Sequence, residues 1–144
     1  MRPTWEEYFG DLARMAATRS TCTRRKVGAV LVRRNRVIAT GYNGPPRGYG
    51  HCDEGACPRS LTQGPVSFGY DDCVAIHAEA NALLFASEDQ RDGATLYTTD
   101  APCFGCAKLI ANSGVSTVFV LGGWYEDWPK TLRFLTDCGV AVKP

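Results

Sequence analysis

"AIHAEANALLF" at residues 75–85 and "TTDAPCFGCAKLI" at residues 98–110 are the stretches on which the fold of this chain turns. In the first, His77 and Glu79 stand two apart at the head of an alanine- and leucine-rich run, the composition of a helix. In the second, Pro102 leads into Cys103-x-x-Cys106 at the start of another apolar run of helical spacing, with Gly114 as its stop. Between them, "ATLYTTD" has the β-branched and aromatic content of a strand. Downstream come the strand "STVFVLGG", the loop "WYEDW", a helix opened by Pro129 and closed by Gly139, and a short last strand in "VAVKP". Strands alternating with helices predict a parallel βαβ portion.

Working upstream, "HAEANALLFASE" reads as one helix, and residues 41–72 turn to Gly, Pro and Cys without a sustained period. A connection that long in a small domain is expected to be functional or tied down. "KVGAVLVRRNRVIATGYN" predicts a hairpin about the turn Arg33–Arg36, which makes the sheet mixed. "PTWEEYFGDLARMAATRS" predicts a helix, with Thr4 and Glu7 at capping-box spacing and an apolar stripe of Tyr8, Leu12, Met15 and Ala16.

The chain has 144 residues, enough for one core, so a single domain over 1–144 is expected. A net charge of +1 gives no reason to expect a polyanionic partner, and neither nucleic acid nor membrane is predicted to bind. No apolar run approaches the ~20 residues of a membrane span, and the first residues lack a signal peptide's apolar centre. A cytoplasmic location follows as the expectation. There, seven cysteines point to metal ligands or thiols in preference to disulfides.

His77, Cys103 and Cys106 are residue types that zinc favours, and the i, i+3 cysteines share one face of a helix start, where thiolate is stabilised. Three protein ligands leave one tetrahedral position open, the mark of a catalytic site. Glu79 is placed to handle protons beside it. Alone, CxxC also suits a redox pair, and His-Ala-Glu an ordinary helix start. Together, H-x-E … P-C-x-x-C is a pattern already known for zinc-dependent nucleobase deaminases.

With "STCTRRKVGAV", "GYNG", "HCDEGAC", "HAEANALL", "YTTDAPCFGCAKLI" and the final "CGVAV" added, the chain from about Trp5 to Val142 resembles the deoxycytidylate (dCMP) deaminase family, bacterial late-competence-type branch, of the cytidine deaminase superfamily. The resemblance implies a cytidine deaminase-like α/β/α sandwich with a mixed five-stranded sheet whose last two strands are parallel. It implies hydrolysis of dCMP to dUMP and ammonia, with zinc held by His77, Cys103 and Cys106 and Glu79 shuttling protons. The alternative is a zinc deaminase acting on another small cytosine nucleoside or modified nucleotide. By the same resemblance, Ala78 main chain holds the pyrimidine carbonyl, Asn43 meets the sugar, a carbonyl near Thr98 or Thr99 receives the amino group, and Arg24 binds the 5′-phosphate. Tyr125 is a further expected contact. Asn43 followed by glycine is equally a turn by composition. Homo-oligomers are implied as well.

Five cysteines remain. Cys22, Cys52, Cys57 and Cys73 cluster around a segment too poor in apolar residues to fold on its own core, and a second, structural zinc would order it. The resemblance supports those four as ligands, with His51 as an alternative, and four reduced thiols are the competing expectation. Cys138 is expected to be a buried thiol. Two departures from the family stand out: the acidic Glu126-Asp127 after the fourth strand, where relatives carry basic residues, and Asp72, where competence-type relatives often carry histidine.

Overall fold

Thr4 accepts a hydrogen bond from the Glu7 N–H, and the Glu7 carboxylate accepts one from the Thr4 N–H, so helix α1 (Trp5–Ala17) begins at the predicted box. The computed structural model describes residues 1–56 and 73–144; Cys57 and Asp72 lie outside the described residues. After α1 come β1 (Gly28–Arg33) and β2 (Arg36–Tyr42), joined by Arg34 and Asn35 with φ of 53° and 58°. Both turn residues are left-handed, the geometry that matches strand twist in a two-residue hairpin.

Helices α2 (Ala78–Leu84) and α3 (Glu88–Arg91) follow, then β3 (Thr95–Thr98), α4 (Phe104–Asn112), β4 (Thr117–Val120), α5 (Trp128–Asp137) and β5 (Ala141–Lys143). The expected single helix over 77–88 is thus two. Phe85 ends the first, and Ser87 starts the second with its own capping box to Gln90.

The strands form one sheet in the order β2-β1-β3-β4-β5. β1 is antiparallel to both β2 and β3, whereas β3–β4 and β4–β5 are parallel, so the sheet is mixed as expected. Alternation along the strands divides the core. Val30, Val32 and Tyr97 face α1, where they pack with Phe9 and Ala13. Ala29, Leu31, Leu96, Val118 and Val120 share the opposite core with Ala78, Ala82, Ile110 and Leu135 of α2, α4 and α5. The layers are α/β/α. A fully buried Phe9 or Leu31 contributes about 1.5–3 kcal/mol to this sandwich.

The stripe of α1 differs from the expectation by one position. Phe9, Gly10, Ala13 and Ala17 are buried, while Tyr8 and Met15 are 45% and 67% exposed. Small residues win that face because the helix lies almost on β1: a Cβ at Gly28 would stand 2.0 Å from the Ala13 carbonyl oxygen. Gly41 does the same for α2, where a Cβ would meet the Ala78 carbonyl oxygen at 2.2 Å. Cys138 is also corrected: it is exposed, because the C-cap residue of α5 sits where the helix turns outward into left-handed Gly139.

Candidate active site

Two helix starts meet at one point. His77 is the N-cap of α2 and Cys103 the N-cap of α4, whose sulfur accepts a hydrogen bond from the Cys106 N–H at 3.4 Å. The seat of α2 is fixed by Gly41 beneath it, by Asn81 donating to the Tyr42 carbonyl, and by paired backbone bonds between Gly44 and Ile76. The seat of α4 follows from β3, which delivers the chain through Thr98 and Pro102.

His77 Nδ1 lies 3.4 Å from the sulfurs of both Cys103 and Cys106, and all three donor atoms lie within 4.8 Å of one another. A tetrahedral zinc with bonds of about 2.0 Å to nitrogen and 2.3 Å to sulfur spaces its donors by roughly 3.5–3.8 Å, so the trio fits that ion. The protons tell the same story. Hydrogen bonds from Cys106 and then from His77 hold the Cys103 thiol down to about 4. The bond to Cys103 pushes the Cys106 thiol up, and the one from Cys103 raises His77. The trio therefore shares protons that a doubly charged cation would displace.

Glu79 sits in the first turn of α2, 4% exposed, with the Cys106 side chain among the groups that bear on its charge. Burial pushes that carboxyl up to about 7, against the helix backbone and His77, which favour the charged form. A buried carboxyl poised near neutrality, beside three side chains that could hold a metal, has the placement an acid–base group needs.

Above this floor opens a cavity of about 390 Å³. Of the expected substrate contacts, Asn43, Ala78, Arg24 and Tyr125 all line it. Asn43 is buried; its Oδ1 accepts from the Val27 N–H at 2.9 Å and its Nδ2 donates to the Arg25 carbonyl at 2.8 Å. Tyr125 places its hydroxyl 2.7 Å from the Pro102 carbonyl oxygen and 2.8 Å from Thr131 Oγ1. Thr98 does not line the cavity. It is fully buried in the sheet, with its carbonyl accepting from Leu121 and its hydroxyl donating to the Asp100 carbonyl. Asp100 and Ala101 take its place in the wall. Glu126 and Asp127 are exposed and lie outside the cavity lining, while Arg24 and Arg25 belong to it.

Sequence reasoning passed over Arg25 and Asp100, which pair at 2.6 Å across the cavity mouth. Their signal was proximity: one adjoins Arg24, the other lies three residues before Cys103. Cys22 and Cys73 line the same cavity and Cys52 is buried, but His51 is exposed. Among the described residues, the trio of His77, Cys103 and Cys106 is the one group of three potential ligands brought together. No helix among them is long and apolar enough to cross a membrane.

Residues 3–122 match the family model described as the cytidine and deoxycytidylate deaminase zinc-binding region. The chain is 48% identical over 143 residues to a deoxycytidylate deaminase of Schizosaccharomyces pombe, covering 99% of this chain but 44% of that protein. It is 51% identical over 123 residues to the deoxycytidylate deaminase of Mycobacterium phage D29, covering 81% of this chain and 94% of the phage protein. It therefore spans less than half the length of the yeast relative and nearly all of the phage one. In structure it is similar to the dCMP deaminase of cyanophage S-TIM5 in complex with dCMP and dUMP, with a TM-score of 0.76, 31% identity, and coverage of 99% and 98% of the two chains.

Proposed function

This chain belongs to the cytidine and deoxycytidylate deaminase family, and from that premise we propose that it hydrolyses dCMP to dUMP and ammonia. One observation carries the reading: a buried carboxyl, Glu79, lies beside a His/Cys/Cys trio at the floor of a cavity whose mouth bears two arginines. His77, Cys103 and Cys106 would hold zinc, which supplies the Lewis acidity that makes water nucleophilic near neutral pH.

The residues do the rest. Glu79 takes a proton from the attacking water and delivers it to ring N3 as the C4–O bond forms. It then carries the second water proton to the amino group, the C4–N bond breaks, and ammonia leaves a uracil ring. Ala78, the first residue of α2, offers an N–H without an intrahelical acceptor to the pyrimidine carbonyl. Asn43 spends one lone pair and one N–H on the 25–27 segment, and the second of each serves a sugar hydroxyl. Arg24 takes the 5′-phosphate, for which a guanidinium fork suits two oxygens at once. Tyr125 completes the wall.

Ammonia release measured on dCMP, CMP, deoxycytidine and dCTP tests the proposal. dCMP should give the highest kcat/KM; a preference for deoxycytidine would overturn it.

Cys22, Cys52, Cys57 and Cys73 are proposed as ligands of a second, structural zinc. The support is that Cys22 and Cys73 line the same cavity and that Cys52 is buried in a stretch with little regular structure. Metal analysis should find two zinc ions per chain, falling by one in Cys52→Ser; a single zinc in a fully active, metal-replete preparation would rule the site out. The chain is further proposed to act as one domain over 1–144, in the cytoplasm, as a homo-oligomer. Exposed Leu84, Phe85 and Leu109 on the neighbouring α2 and α4 suit a subunit contact. Sedimentation of the wild type and of Phe85→Glu checks this, with a monomeric wild type as the contrary outcome.

A further inference from the structure

Arg25 is held from two sides. Its carbonyl accepts from the Asn43 amide at 2.8 Å, and its Nε lies 2.6 Å from Asp100 Oδ2. Asp100 is itself confined. Its carbonyl accepts from the Thr98 hydroxyl, the next residue's N–H donates to Gly122, and its carboxylate lies against Gly123. A Cβ on Gly123 would stand 2.6 Å from Asp100 Oδ1, and Gly123 adopts φ of 69°, so that position is open only to glycine. Three segments therefore converge on one ion pair: 20–27, the turn after β3, and the turn after β4. Both members of the pair line the cavity beside Arg24.

An ion pair with side chains 42% and 20% exposed adds little to stability. Its consequence is orientation. Arginine offers five donors in a fixed plane, and engaging Nε fixes that plane while leaving other N–H groups for a second acceptor. An unanchored arginine at a cavity mouth loses rotamer freedom on meeting an anion, and the anchored one has already lost it.

We propose that Asp100 is a positioning residue: it presents Arg25 as the second arm of the 5′-phosphate site, beside Arg24, and so sets the preference for nucleotide over nucleoside. The inference rests on the dCMP reading above. Two substitutions separate orientation from charge, because Asp100→Asn keeps an oxygen that accepts from Nε and Asp100→Ala does not.

The test is the ratio of kcat/KM for dCMP to that for deoxycytidine in the zinc-loaded enzyme, together with calorimetric Kd values for dUMP and deoxyuridine. Asp100→Ala should lower the ratio about 5- to 10-fold, through KM, and weaken dUMP by a similar factor without changing deoxyuridine. Asp100→Asn should recover most of that loss. In an Arg25→Ala background, Asp100→Ala should add less than two-fold, since Asp100 acts through Arg25. Equal losses on nucleotide and nucleoside would make the pair structural. Tighter dUMP binding in both variants would make Asp100 a repulsive charge. Either outcome, or an unchanged ratio, overturns the proposal. A parent that releases no ammonia from dCMP would instead sink the functional reading, and the dUMP and deoxyuridine affinities would still decide the role of Asp100.

Discussion

The floor and the mouth of the cavity are built on different plans. At the floor, His77, Glu79, Cys103 and Cys106 stand on the first turns of two helices, and each helix is locked to the sheet by close backbone contact or by the strand that feeds it. At the mouth, Arg24, Arg25, Asp100 and Tyr125 stand on turns held by side-chain hydrogen bonds and one ion pair. Chemistry at C4 demands sub-ångström placement, which packed elements supply. Recognition of a phosphate tolerates more, and turns can vary without disturbing the core. Damage to the floor should therefore fall on every substrate alike, and damage to the mouth on phosphate-bearing ones.

The largest effect is expected at the floor. Glu79→Ala should lower kcat by about 10²–10⁴-fold for dCMP and deoxycytidine together, since in the proposed mechanism the carboxylate serves proton transfers that both substrates need. Zinc content should stay unchanged, because Glu79 is not one of the three ligands. His77→Ala should lose the metal as well as the activity. Activity of Glu79→Ala within a few-fold of the parent would break the floor's assignment.

Next comes the mouth. A hydrogen bond to a charged group is worth about 1.5–3 kcal/mol, so Arg24→Ala should lower kcat/KM for dCMP roughly 10- to 150-fold. Deoxycytidine, with no phosphate to lose, should change less than about three-fold. Equal losses on both would move Arg24 from recognition to structure and erase the distinction between the two regions.

How much of each region could be read in advance follows from the same contrast. The floor is local in sequence. His77 with Glu79, and Cys103 with Cys106, are spacings of two and three, and helix geometry turns such spacings into proximity. The strands were legible for a similar reason, through alternation and turn chemistry. The mouth is not local. Arg25 and Asp100 lie 75 positions apart, and the Asp100 side chain packs against Gly123 from a third segment. The face of α1 escaped for another reason. Periodicity favoured the large Tyr8 and Met15, but the close approach at Gly28 selected the small Ala13 and Ala17. Thr98 is close in sequence to the cavity wall, and one residue of strand pairing decides that its carbonyl meets Leu121.

A third effect tests the packing beneath the floor. Gly41→Ala places a Cβ against the main chain of α2, at Ala78 and Ala82, and backbone cannot step aside as a flexible side chain can. Overpacking of this kind costs about 1–3 kcal/mol. Urea denaturation should report that loss, with kcat falling for every substrate as α2 shifts. Gly44→Ala is the control. Its Cβ meets nothing nearer than the Tyr42 ring at 3.7 Å, and its stability should stay within about 0.5 kcal/mol of the parent. Equal costs at the two positions would mean that helix seating does not set the floor.

The smallest effect belongs to a cysteine outside both regions. Cys138 ends α5, exposed, with φ of −82° and ψ of 0°. Its N–H donates to the Phe134 carbonyl, so the helix end is secured by backbone and asks nothing of the sulfur. Serine has nearly the same size and tolerates that conformation. Cys138→Ser should therefore alter stability by less than about 0.5 kcal/mol, and leave zinc content and kcat/KM unchanged. A thiol buried among apolar side chains would behave otherwise: a hydroxyl forced into such a site costs about 1–3 kcal/mol. A matched series of Cys138→Ser, Cys52→Ser and Cys106→Ser, each scored for zinc per chain and urea midpoint, places the three thiols on one scale. Loss of metal in Cys106→Ser alone would confine zinc to the floor. Loss in Cys138→Ser would show that the exposed sulfur holds an ion neither region explains.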